Sequence, residues 1–281
     1  MRLVDSHCHL QADRFDDDVD AVIAAAQEAG VERILVPGWN AWSSAAALAL
    51  VERFPWMDAA VGVHPHDAAS VDDEEWAAIA RSARDPRVAG IGETGLDYDR
   101  VFSPILAQLA NLRRNLVLAA ETGKPAILHC RSRTGEREAQ DALLGELRAF
   151  GDHVPPVVIH SFSGPIDYAE AMLELGATIS ISGLAFRTGE EATAEVVRLV
   201  PPDRLLVETD SPFLAPPGAP RSRNAPEWVT VTAAWVAERR GVELDAAGEA
   251  LVAAYDRVFG ATRRVASPPV GGRRVTDRGS N

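Results

Sequence analysis

Short apolar runs alternate with amphipathic, alanine-rich stretches along most of this chain, and that alternation restricts its fold more than any other feature. The strand candidates are 3–9 (LVDSHCH), 33–37 (RILVP), 58–64 (DAAVGVH), 88–93 (VAGIGE), 125–130 (PAILHC), 156–161 (PVVIHS), 177–182 (ATISIS) and 204–210 (RLLVETD). Helical stretches fall between them, at about 17–29, 43–53, 73–83, 104–122, 136–150, 165–175, 189–200 and 226–239. An eightfold strand–helix repeat predicts an α/β fold of the (β/α)8 TIM-barrel type. A doubly wound open sheet is the competing architecture, but no glycine-rich dinucleotide-binding turn follows the first strand. A ninth helix, about 244–259, is expected to pack on the outside of the barrel. Residues 1–260 thus read as a single barrel domain, and 261–281 (ATRRVASPPVGGRRVTDRGSN) as a disordered basic tail, solvated rather than bound to nucleic acid.

The bulk composition narrows the function classes. With 28 Lys and Arg against 41 Asp and Glu, the net charge of −13 argues against a broad basic surface gripping a duplex. It leaves room for a local cluster that receives one phosphate at a time. No run of 18 or more apolar residues is present, so no membrane span is expected. The first ten residues lack the apolar region and cleavage site of a signal peptide. Two cysteines, Cys8 and Cys130, suggest no disulfide framework, and a cytoplasmic location is the expectation.

In a barrel of this kind the active site lies at the C-terminal ends of the strands. Those ends carry, in order, Asp5, His7 and His9, then His64, Glu93, His129, His160 and Asp210. A single histidine at a strand end is ordinarily a satisfied hydrogen-bonding group. Convergence changes that reading, because five of the seven histidines fall at strand termini, leaving His66 just past one end and His153 in a loop. Burying such a cluster without a cation would strand polar groups at roughly 1–3 kcal/mol each. Strand alternation points His7 and His9 inward together and turns Cys8 toward the helices, where it packs; Cys130, after inward-facing His129, reads the same way. Asp5 reads as a support for the ligands. Four histidines with two carboxylates exceed the needs of one tetrahedral ion and suggest two divalent ions (Zn, Mg or Mn) at the roughly 3.5–4 Å spacing of binuclear sites. Glu93 is the natural bridge. Lys124, the only lysine, stands at the start of the fifth strand, the wrong end of the barrel for a carbamylated bridging lysine.

The motifs DSHCHL (5–10), GVHPH (62–66), GETGLDY (92–98), ILHCR (127–131), IHSFSG (159–164), LLVETDSPFLAP (205–216) and RSRNAP (221–226) together resemble the TatD family of metal-dependent deoxyribonucleases, within the amidohydrolase-like superfamily. The resemblance implies one metal held by His7, His9, Glu93 and Asp210, and a second held by Glu93, His129 and His160. It implies that His64 contacts substrate or phosphate and that Asp210 also orients the attacking water. Arg223 and Asn224 match the family's R-N-x-P loop, although Ala225 stands where glutamate is common. Leu112 and Asn115 also depart from the family pattern, which puts substrate contacts rather than the reaction type in doubt.

The expected activity is hydrolysis of DNA phosphodiester bonds, of a 3′–5′ exonuclease kind on single strands, by a monomer with only local contacts to DNA or nucleotide. Arg131 with Arg133, and Arg221 with Arg223, would lie on the top face as a local phosphate grip, unless they pair with rim carboxylates. Tyr98, Phe162 and Phe186 are the candidate stacking aromatics. Hydrolysis of an amide, ester or lactone by the same metal pair is the alternative. A degenerate binding barrel fits poorly with a complete ligand set.

Overall fold

A computed structural model describes residues 1–260; the tail expected over 261–281 lies outside the described residues. Eight parallel strands form one sheet in sequential order: β1 (Leu3–Asp5), β2 (Val31–Pro37), β3 (Asp58–Val61), β4 (Val88–Asp97), β5 (Ala126–Arg131), β6 (Val157–Ile159), β7 (Thr178–Ile181) and β8 (Leu205–Val207). The sheet curls until β8 meets β1, where Ser6 N donates to Val207 O and Asp210 N to His7 O. The predicted barrel is therefore present. Its helices are α1 (Val19–Glu28), α2 (Ala41–Arg53), α3 (Asp73–Ser82), α4 (Ile105–Thr122), α5 (Glu138–Phe150), α6 (Ile166–Glu174), α7 (Thr193–Leu199), α8 (Val229–Arg240) and α9 (Leu244–Phe259). None among the described residues is long and apolar enough to cross a membrane.

Local chemistry sets the element boundaries. Asn40 and Ser43 close a reciprocal capping box at the start of α2, and Asp72 with Glu75 does the same for α3. Left-handed glycines, Gly123 and Gly241, stop α4 and α8. The strand interiors are runs such as Ile34-Leu35-Val36 and Ile127-Leu128, buried on both faces as a parallel barrel requires.

Two elements differ from expectation. β4 continues four residues past Glu93, because Thr94–Asp97 keep pairing with Leu128–Arg131 of β5. The glycines of the G-x-G-x-x-G-spaced run 90–95 thus lie inside a strand and permit close approach, not a phosphate-binding turn. A Cβ on Gly92 would collide with Ile127, and one on Gly95 with the His129 carbonyl oxygen. The second difference is α9, which covers the barrel floor instead of joining the outer ring. Gly248 abuts the Arg2 carbonyl and the Tyr255 hydroxyl donates to Asp58 at the start of β3 (2.9 Å). Its buried face, Ala247, Leu251, Val252, Ala254, Tyr255 and Phe259, seals the strand starts from water. Lys124 lies at this same floor, donating to the carbonyls of Ala83 and Asp85, remote from the opposite mouth.

Candidate metal centre

The regular part of β1 ends at Asp5, so His7 and His9 sit just beyond it, in a segment tied to β8 by the bridge between Cys8 and Ser211. Even so, both rings turn the same way, with their Nε2 atoms 3.2 Å apart. His160 and Asp210 likewise follow the last paired residues of β6 and β8. The structure brings His7, His9, His64, Glu93, His129, His160 and Asp210 together at the top of the barrel.

Glu93 is their centre. Its Oε2 lies 3.2 Å from His7 Nε2 and 3.5 Å from His9 Nε2. Its Oε1 lies 2.9 Å from His160 Nε2, 3.1 Å from His129 Nδ1 and 3.2 Å from His64 Nε2. One carboxylate thus faces two groups of imidazoles with its two oxygens. Asp210 Oδ1 completes the first side, 3.5 Å from His9 Nε2 and 3.8 Å from His7 Nε2.

The electrostatics are those of a largely buried acid–base cluster, with His64, His129 and Asp210 partly exposed at its edge. Burial alone would push the Glu93 carboxyl up, but the surrounding His160, His64 and His7 rings and a hydrogen bond from His129 hold it well below the carboxylate range. The same contest, won by His9, His160 and His7, lowers Asp210. Burial opposes protonation of His9, yet its bonds to Asp210 and Glu93 raise it to about 9. His160 is raised against burial by the charges of Glu93 and Glu208.

Donor chemistry fits divalent ions. Three sets of ligand atoms, His7/His160/Asp210, His7/His9/Glu93 and His64/Glu93/His129, each lie within 4.8 Å of one another. The buried Nδ1 of His7 has no hydrogen-bond partner among the described residues. His64 stands apart chemically. Its Nδ1 accepts from the His66 backbone N–H (3.0 Å), and burial lowers the ring to about 4, so it is neutral and its hydrogen is on Nε2, facing Glu93.

Behind the cluster are two buried carboxylates that strand-end reasoning passed over. Glu208 accepts from His160 Nδ1 (3.0 Å) and from Ser161 N (2.6 Å). Asp97 contacts His129 Nε2 (3.3 Å) and His66 Nε2 (2.7 Å), and its carboxyl is held far below the usual range against burial by those two histidines. Each leaves one nitrogen of its histidine, Nε2 of His160 and Nδ1 of His129, turned to Glu93. Asp5 accepts from Thr209 Oγ1 (2.6 Å), Thr209 N and His7 N, pinning the two ligand-bearing segments together; burial pushes its carboxyl up to about 8.

The outer candidates are placed as follows. Arg131 Nε donates to Asp99 (2.8 Å), and Arg223 is clamped by both oxygens of Asp18 (2.7 and 2.8 Å). Asn224 is fully buried and gives its amide hydrogens to the carbonyls of Thr209 and Phe213. Arg133 and Arg221 are exposed. Cys8 is buried with Sγ 2.9 Å from Ser211 Oγ, and Cys130 is buried beside the Tyr168 hydroxyl. Of the expected stacking aromatics, Phe162 is buried against Tyr168 and Phe186 packs edge-on against Trp235.

Comparison with known proteins agrees with this geometry. Residues 4–260 match the family model described as TatD related DNase. A 3'-5' ssDNA/RNA exonuclease TatD from Erwinia billingiae is 36% identical over 266 residues, 92% of this chain and 98% of that protein. An uncharacterized metal-dependent hydrolase, YabD, from Bacillus subtilis is 34% identical over 84% of this chain and 90% of its own. The crystal structure of YJJV, a TatD homolog from Escherichia coli, superposes with a TM-score of 0.83 at 31% identity, covering 92% of this chain and 98% of that one. A barrel whose strand ends converge on Glu93, matched by a family model from residue 4 to residue 260, belongs to the TatD family of metal-dependent hydrolases.

Proposed function

We propose that this chain is a divalent-cation-dependent phosphodiesterase that shortens single-stranded DNA from its 3′ end. The carrying observation is Glu93, whose two carboxylate oxygens face separate groups of imidazoles, in a chain 36% identical to a 3'-5' ssDNA/RNA exonuclease TatD. His7, His9, Glu93 and Asp210 would hold one ion, and Glu93, His129 and His160 a second, drawn from Zn, Mg or Mn. Such ions supply a water of lowered pKa and neutralise charge on the phosphate.

The chain's own residues do the rest. Asp210, held as a carboxylate by the neighbouring His9, His160 and His7, is assigned to orient the attacking water. His64, a neutral ring at the edge of the cluster with Nε2 3.2 Å from Glu93 Oε1, is assigned as a contact for the substrate phosphate. Arg131 is paired through Nε with the rim carboxylate of Asp99, and its remaining guanidinium hydrogens are assigned to a phosphate. Arg223 and Asn224, held by Asp18 and by two carbonyls, contribute by shaping the loop after β8.

The test is release of nucleotides from end-labelled single-stranded DNA by metal-reconstituted protein, beside His129→Ala and Asp210→Asn. Metal-dependent release that both substitutions abolish is expected. Release that persists equally in the substituted proteins, or turnover of amides or lactones with none of DNA, contradicts the proposal.

A further inference from the structure

Aromatic side chains are usually buried or half-buried, and nearly all in this chain are. Among the described residues the exposed ones are Trp42 (63%), Phe102 (68%) and Phe213 (50%), and all three follow strand C-termini at the mouth of the barrel. Trp42 opens α2, Phe102 follows β4, and Phe213 follows β8. Each connects by ring contacts to the metal centre. Phe102 lies edge-on to His66 at 4.7 Å, and His66 holds the Asp97 that backs His129. Phe213 faces the His9 ring at 6.2 Å. Trp42 leans on Trp39 at 6.2 Å, and Trp39 packs edge-on to His9 at 5.3 Å.

Strand order puts these rings on different sides of the site. Phe213 and Trp42 flank the β1 ligands, one after β8 and the other after β2, while Phe102 stands beyond β3. Cations are interleaved with them. The Arg14 guanidinium lies 5.7 Å over the Phe213 ring, Arg100 precedes Phe102 by two residues, and Arg133 and Arg221 are exposed on neighbouring loops. Separated aromatic faces alternating with arginines suit a chain of bases and phosphates, each base having a π-face and each phosphate a charge. A single apolar partner surface would instead call for one contiguous patch.

Resting on the phosphodiesterase reading above, we infer that Trp42, Phe102 and Phe213 are stacking platforms for the bases of a single-stranded nucleic acid, holding the strand across the Glu93 centre. They bind and orient bases and take no part in the bond-breaking step.

The experiment compares wild type with Trp42→Ala, Phe102→Ala, Phe213→Ala and Trp42→Phe. It measures steady-state kinetics on a single-stranded decamer and on bis(p-nitrophenyl) phosphate, which has no bases. It also measures equilibrium binding of a fluorescein-labelled, hydrolysis-resistant phosphorothioate decamer to the metal-loaded protein, by anisotropy. Each alanine variant is expected to raise KM for the decamer and weaken its binding about five- to twenty-fold. The loss on the small phosphodiester, which offers no base, should be smaller than that on the decamer, and Trp42→Phe should recover most of the binding. Decamer binding within twofold of wild type in all three alanine variants overturns the inference, as does an equal loss on both substrates. If wild type binds the decamer but cleaves no phosphodiester, the phosphodiesterase reading fails while the binding series still decides the platforms. If wild type neither binds nor cleaves it, both fail.

Discussion

Nδ1 of His160 lies 3.0 Å from Oε1 of Glu208, a carboxylate wholly shielded from solvent. That contact leaves Nε2 as the nitrogen turned to Glu93. Replacing Glu208 with glutamine keeps an oxygen for Ser161 N but removes the charge behind His160. Glu208→Gln is expected to stay folded and to weaken divalent-ion affinity about 10- to 100-fold, read by titration calorimetry. Unchanged affinity would mean that the contact only packs.

Gly95 carries a different kind of constraint. Its φ of +138° and its closeness to the His129 carbonyl leave no room for a side chain. Gly95→Ala should destabilise the fold by about 3 kcal/mol or more and displace His129, seen as a lower urea midpoint together with lost metal binding. A variant as stable as wild type would contradict the close β4–β5 packing described above.

Lys124 makes stability depend on pH. Burial lowers its amine from 10.5 to about 8 in the folded protein. Between those values the unfolded chain binds the extra proton, so this group's contribution to stability rises with pH and is flat below about 8. Urea unfolding at pH 7.5 and 10 should show wild type gaining about 2 kcal/mol relative to Lys124→Met. A difference that is constant or shrinks with pH would contradict this.

The barrel and the centre of the site were legible because each rests on local pattern. Strand–helix periodicity survives in single segments, and His7, His9, His64, Glu93, His129, His160 and Asp210 stand at or just past strand ends, where the topology converges them. Glu208 was within reach of the same logic, being two residues before Asp210, but it reads as one acid among many in an acidic chain. Asp97 was hidden because Gly92 and Gly95 make β4 look finished at Glu93. The pairing of Arg223 with Asp18 joins loops at opposite ends of the chain, and no local signal announces it. The exposure of Trp42, Phe102 and Phe213 depends on how loops settle around the mouth, which periodicity does not encode. The floor position of α9 likewise depends on tertiary packing, since an amphipathic helix reads the same on a wall or on a floor.

Calorimetric titration of chelator-stripped protein with a divalent cation tests the central claim most directly, because Glu93 stands between both groups of ligands. Two ions per chain in wild type, and loss of both sites in Glu93→Gln, is the predicted result. Fewer than one ion per chain in wild type, or binding that Glu93→Gln leaves intact, would contradict a centre built on Glu93.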